Sequence, residues 1–287
     1  MSNRIREEFR YRSLGFSYNL PHHFVVSQWH INQSKFLAWR TFWFLWHLAW
    51  LIRSIQYEIS KQNYTLRSLK WCIYLTNWAY TILLLQSGVH LAVVARYTHE
   101  KKTKAEDFKD ERAGRLMKLL WFLSNIAFDA AIIVTILYWT LVFKELKTAF
   151  TLMTHAANSL YVILDIFLVA CPVRLLHFLY SCGVATAYLA FTVLYHLADG
   201  TNSDSEPYIY SSLDWSNPVG SSVLAASVIL VAFPFVHLFQ FTLHLLRLYI
   251  AESCYGSEEK SLEREDTEER KGAEGDAEMG RSSTEKY

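Results

Sequence analysis

The sequence predicts an all-α integral membrane protein: a bundle of six transmembrane helices, both termini cytoplasmic, with a disordered acidic C-terminal tail. Three observations predict it. Of the 287 residues 52% are hydrophobic, and they gather into runs near the roughly 20 residues needed to cross a hydrocarbon core about 30 Å thick. Lysine and arginine crowd some of the intervening stretches and are missing from another, the asymmetry that orients membrane helices. Beyond Glu252 the chain turns acidic and almost free of apolar residues. The formal net charge of +1 supplies no global field for nucleic acid.

Residues 1–34 form the first region, a cytoplasmic segment of charge, aromatics and turn residues. It holds no apolar run that a cleavage site could follow, so the first helix is expected to serve as an uncleaved anchor. The transmembrane domain follows over 35–251. Its segments are Leu37–Tyr57, Trp71–Ala95, Leu119–Phe143, Thr148–Ala170, Val173–Ala198 and Ser221–Ile250. The first is the weakest, because Arg40 and Arg53 leave twelve residues between them. An arginine near a helix end can snorkel to the headgroups, and Trp39, Trp43, Trp46 and Trp50 suit an interface. A helix lying flat on the surface is its alternative.

The breaks are equally legible. Lys144–Lys147 makes a short turn. Pro172, within Cys171-Pro172-Val173-Arg174, cannot donate to a continuing helix. Residues 199–220, rich in Gly, Asn, Ser and Pro, mark a loop. From Ser257 to Tyr287, 11 acidic and 6 basic residues cannot bury enough surface to offset their ordering entropy, so 252–287 reads as a disordered cytoplasmic tail. Three of the four cysteines, Cys72, Cys171 and Cys182, lie in apolar segments as small hydrophobes. Cys254, just past the last segment, is a free thiol or a palmitoylation site.

Arg4, Arg6, Arg10 and Arg12 precede the first segment, eight lysines and arginines lie between Arg96 and Lys118, and none lies between segments 5 and 6. Six crossings put the first two stretches in the cytoplasm and the last outside. The loop between segments 1 and 2, with Lys61, Arg67 and Lys70, is then external against the trend. Its sequon Asn63-Tyr64-Thr65 fits that side.

Ionisable groups inside a bilayer cost about 2.5–3.5 kcal/mol on insertion scales and need a reason. They are His47, His90, Asp129, His155, Asp165, His177, His196, His237 and His244. Thr76 follows Lys70 by six residues and His155 follows Lys147 by eight. At 1.5 Å per residue both fall roughly 9–12 Å below the external boundary on parallel helices. A histidine base beside a hydroxyl nucleophile is one chemistry this depth permits. A threonine bonded to its own helix and a structural histidine are the plainer one. Asp165, about 15 Å deeper than His155, is expected to pair structurally, to stay protonated, to pair with His237 or to line a polar cavity. The histidine pairs His90/His177 and His155/His196 would suit a haem electron carrier. No zinc spacing, phosphate loop, dinucleotide pattern or nucleophile elbow occurs.

The stretch Gly200-Thr201-Asn202, Glu206-Pro207-Tyr208-Ile209-Tyr210, Leu213-Asp214-Trp215 and Asn217-Pro218 combines turn residues with interfacial aromatics. It reads as a rigid turn, or as a cap over the space between the helices. With Ser27-Gln28-Trp29, Thr154-His155-Ala156, Asn158-Ser159, Leu164-Asp165, Pro172-Val173-Arg174 and His177-Phe178, it carries a resemblance to the Rolling stone family of membrane proteins over about residues 14–250. A more distant similarity is to the androgen-induced and androgen-dependent membrane hydrolases, which cleave fatty acid esters of hydroxy fatty acids with a threonine and a histidine. His155 and Asp165 reproduce the spacing of their histidine and acidic residue. Thr76, in Leu75-Thr76-Asn77-Trp78, matches their threonine, with Thr81 as its competitor.

The first resemblance implies a non-enzymatic role in cell adhesion or myoblast fusion, and a plasma membrane location, although the endoplasmic reticulum suits the sequence as well. The second implies a lipid-ester hydrolase with Thr76 as nucleophile, His155 as base and Asp165 in support, its substrate entering from the membrane lipids. That chemistry needs no metal or organic cofactor. The haem carrier is the third reading.

Overall fold

The structure, a computed structural model, describes residues 6–61, 69–103, 111–142, 152 and 156–256. The Asn63 sequon, the Lys144–Lys147 turn, His155 and residues 257–287 of the expected tail lie outside the described residues, whereas 252–256 continue the last helix. The principal helices are α1, Gln33–Lys61; α2, Leu75–Thr103; α3, Glu111–Leu137, continued by a π-helical segment, Tyr138–Val142; α4, Ala157–Leu168; and α5, Phe178–Leu197. The last, α6, runs over Pro218–Gly256 and contains a second π segment, Val228–Ala232. No strand forms among the described residues, where one isolated bridge joins Ser27 and Val169.

Four helical stretches are long and apolar enough to cross a membrane: Leu75–Lys101, Gly114–Val142, Leu175–Leu197 and Pro218–Gly256. They coincide with the expected segments 2, 3, 5 and 6. α1 has the length, 29 residues, but its arginines and tryptophans dilute its hydropathy. Segment 4 is described from Ala157 on as a 12-residue apolar helix.

The ends of the helices are set by polar side chains. Asn32 opens α1 by accepting the Ser34 N–H at 2.8 Å. Asn217 opens α6 by accepting from Gly220, with Pro218 behind it, the capping chemistry that helix N-termini favour. α4 stops before Pro172, and its orphan carbonyls are satisfied from the N-terminal segment. Trp29 Nε1 donates to Phe167 O at 2.8 Å, while Ser27 Oγ and the Gln28 N–H both donate to Leu168 O at 2.9 Å. Residues 6–32 are thus sewn into the bundle, with Phe24 and Val25 buried against Trp121 and Val169.

Successive helices alternate in direction between two faces. At one, the N-terminal segment meets the start of α1, the end of α2 (Gln33 with Thr98), the start of α3 (Trp121), the end of α4 and the start of α5, where Arg174 donates to Arg12 O and Ser17 O. At the other, the ends of α1, α3 and α5 meet the start of α2. Burial is greatest on α3, 67% of whose most apolar window is enclosed, against 17% for α5 and 22% for α6. α3 is therefore the central helix, and the other two present most of their apolar surface outward. The chain divides into two compact units, residues 1–244 and 245–287. In the second, the described residues 245–256 are wholly helical.

Candidate functional site

The stretch from residue 199 to 217 caps the second face, and each part of its sequence has a task there. Asp199 and Ser205 adopt left-handed φ of 55° and 68°, conformations open to short polar residues and otherwise favouring glycine. Gly200 lies against Tyr195, and a Cβ there would come within 2.4 Å of the ring. The Tyr195 hydroxyl donates to Thr201 O at 2.9 Å. Buried Asn202 closes an Asx turn by accepting from the backbone N–H groups of Asp204 and Glu206, both at 2.9 Å.

The loop is also tied to the helices beneath. Lys70 Nζ donates to Thr201 Oγ1 at 2.7 Å and Asn202 O at 2.6 Å. The Tyr74 hydroxyl donates to Ser203 Oγ, which donates in turn to Glu58 Oε1 at 2.8 Å. Trp215 Nε1 donates to Thr192 Oγ1 at 3.1 Å. The Tyr210 hydroxyl accepts the Leu75 N–H at 2.9 Å, so a loop side chain caps the start of α2. Burial pushes that hydroxyl up to about 12, which keeps it in its protonated form. At the exposed Asp214 the Ser216 N–H, 2.9 Å away, holds the carboxyl below the usual carboxylate range.

Beneath the loop lies a cavity of about 680 Å³. Val134, Leu137, Ala185, Leu189, Ala225 and Phe233 make an apolar floor. Glu58, Trp71, Tyr74, Asp204, Glu206 and Tyr208 make a polar and aromatic mouth. Thr76, the second residue of α2, is on the wall with Tyr210. His155 is outside the described residues. Asp165 is not among the residues that line this cavity. It is 2% exposed and lies among Trp39, Arg40 and Tyr161. Thr76 and Asp165 are therefore held in different environments.

The partner of Asp165 is Arg40 and not His237. Arg40 Nη2 and Nη1 donate to the two carboxylate oxygens at 2.5 and 3.1 Å, and Trp39 Nε1 adds a bond of 3.1 Å. Arg40 does not snorkel: at 2% exposure it stays inside, where the carboxylate pairs with its two terminal nitrogens. Its Nη1 also donates to His90 Nδ1 at 3.2 Å, and His90 Nε2 reaches Phe24 O at 3.0 Å. Both ring nitrogens of His90 are engaged, which leaves no lone pair for an iron atom.

His237 pairs instead with Asp129. Its Nδ1 lies 2.9 Å from Asp129 Oδ2, and its Nε2 2.9 Å from Arg174 O. Ser181 Oγ and Gln240 Nε2 donate to the same carboxylate at 2.5 and 2.7 Å. With an acceptor at each ring nitrogen, the imidazolium is the form that satisfies both.

Sequence reasoning singled out the loop but not Glu58, Lys70 and Tyr74 as its tethers. Lys70 and Tyr74 flank the expected start of segment 2, and the aromatic–basic cluster around Trp71 was the available signal.

The family model described as "Rost: Protein rolling stone" matches residues 2–255. Among curated proteins, the chain is 29% identical to "Protein rolling stone" of Drosophila melanogaster over 227 residues, which covers 75% of this chain and 79% of the relative. No solved structure matches.

Proposed function

Because the chain belongs to the rolling stone family, we propose that it is a six-pass protein of the plasma membrane acting in cell adhesion or myoblast fusion. The observation that carries this reading is the tethered loop of residues 199–217. It offers a partner a fixed surface of turn residues and aromatics, held in place by Lys70, Tyr74 and Tyr210, at little further ordering cost on contact. The area is small, so lateral helix contacts would have to contribute. Deleting the protein from fusing cells is expected to reduce mixing of their contents. Mixing and adhesion at the normal level would sink the reading.

The six crossings gain support from the Arg40–Asp165 pair. It neutralises the charges that weaken α1 and α4 as spans, and α1 at 1.5 Å per residue extends well past the roughly 30 Å required. Tags at the two termini are expected to be accessible only from the cytosol. Detecting them on opposite sides removes this threading.

A second reading is favoured by one observation, the place of Thr76 on the cavity wall. In it the protein is an intramembrane threonine hydrolase of lipid esters, with His155 as base and no cofactor. A fluorophosphonate is expected to label the wild-type protein at Thr76. Absence of labelling, with lipid-ester turnover unchanged in Thr76→Ala and His155→Ala, rejects it.

A further inference from the structure

The cavity beneath the loop has two features beyond its volume. Both π-helical segments among the described residues border it: Tyr138, Leu141 and Val142 from one, Val228 and Ile229 from the other. A π turn is a local irregularity of an α-helix that occurs frequently at functional sites. Leu141 and Val142, at 43% and 42% exposure, line the cavity and face outward at once. Leu230 and Val231, at 72% and 65%, present the neighbouring surface to the hydrocarbon. The side of the cavity bordered by the two π segments is thus lined by apolar residues among those described.

The second feature is the sign of the mouth. Glu58, Asp204 and Glu206 contribute three carboxylates, the Lys70 ammonium bonded to Thr201 Oγ1 and Asn202 O offsets one of them, and no lysine, arginine or histidine is among the described lining residues. One oxygen of Glu58 accepts the Ser203 hydroxyl, while Asp204 and Glu206 are exposed. The aromatic faces of Trp71, Tyr74 and Tyr208 stand among them. Carboxylates with aromatic faces attract a cation and repel a carboxylate or phosphate. The volume, about 680 Å³, is within the range of ligand pockets, roughly 300–1,000 Å³.

We propose that this cavity binds a single-chain amphiphile with an ammonium head, of the long-chain amino alcohol type. The chain enters between the π segments and lies on the apolar floor. The ammonium group sits at Glu58, Asp204 and Glu206. Binding does not require Thr76 to act as a nucleophile, so it stands apart from the hydrolase reading.

The test uses the full-length protein in phosphatidylcholine nanodiscs and a photoactivatable, alkyne-bearing long-chain amino alcohol. A probe with the same chain and a carboxylic acid head is the control. The amine probe is expected to crosslink within residues 134–142 or 204–229, about tenfold more than the acid probe. The triple variant Glu58→Gln, Asp204→Asn, Glu206→Gln is expected to lose that preference. Glutamine at 58 still offers an oxygen to Ser203, so the loop stays tethered. Thr76→Ala is expected to keep the labelling, whatever it does to ester turnover. Equal labelling by both probes, crosslinks elsewhere only, no crosslinks, or an unaffected triple variant would each overturn the proposal.

Discussion

Replacing Arg40 by alanine is expected to destabilise the bundle by about 3–5 kcal/mol, because it strands the Asp165 carboxylate in the interior without its cation. The pair is 1% and 2% exposed at its two side chains, and two parallel hydrogen bonds fix its geometry. Asp165→Ala should cost a similar amount by stranding the guanidinium. The double variant Arg40→Met, Asp165→Leu should recover most of the loss, since an apolar pair of similar volume has no charge to desolvate. Unfolding of the wild type, Arg40→Met, Asp165→Leu and the double variant in mild detergent gives the coupling energy. Additive losses would show that the two side chains do not act as a pair.

Asp129→Ala should be comparably severe. It withdraws the shared acceptor of Ser181, His237 and Gln240, and each buried donor left unmade costs about 1–3 kcal/mol. Asp129→Asn should fall between that variant and the wild type. Its remaining oxygen can still accept, but its amide sets a donor against another donor of the cluster. The ranking, wild type above Asn above Ala, is read from unfolding midpoints under one detergent condition. A reversed order, or no effect from either change, would contradict the shared-acceptor geometry.

The sequence resolved the helical class and the strongly apolar helices well, because runs of apolar residues have one meaning in lipid. Pro172 marked the break after α4, whereas α6 begins at Pro218, inside the expected loop and ahead of the expected Ser221. The loop was legible too, since Gly200, Asn202 and Pro218 belong to turns and caps. What sequence could not assign was the pairing of the interior charges. Asp165 could be matched with any buried basic residue in the chain, and His237 was one of the partners that the sequence allowed. The choice of Arg40 depends on how α1 and α4 rotate against each other, which no one-dimensional spacing carries. Arg40 itself looked like an interfacial residue because its partner is 125 positions away. Thr76 was placed early in its helix, and it is there. The two π segments had no sequence signal: Tyr138–Val142 and Val228–Ala232 read as ordinary apolar helix.

The sewing of the N-terminal segment to α4 bears on how the protein is made. Ser27 and Leu168 are 141 residues apart, so this part of the chain, which leaves the ribosome well before α4, must wait for its acceptors to be made. Phe24, Val25 and Trp29 would spend that interval as exposed apolar side chains, a natural substrate for a chaperone at the site of insertion. A nascent chain arrested before residue 160 should leave this region open to protease, and one arrested well after residue 175 should protect it.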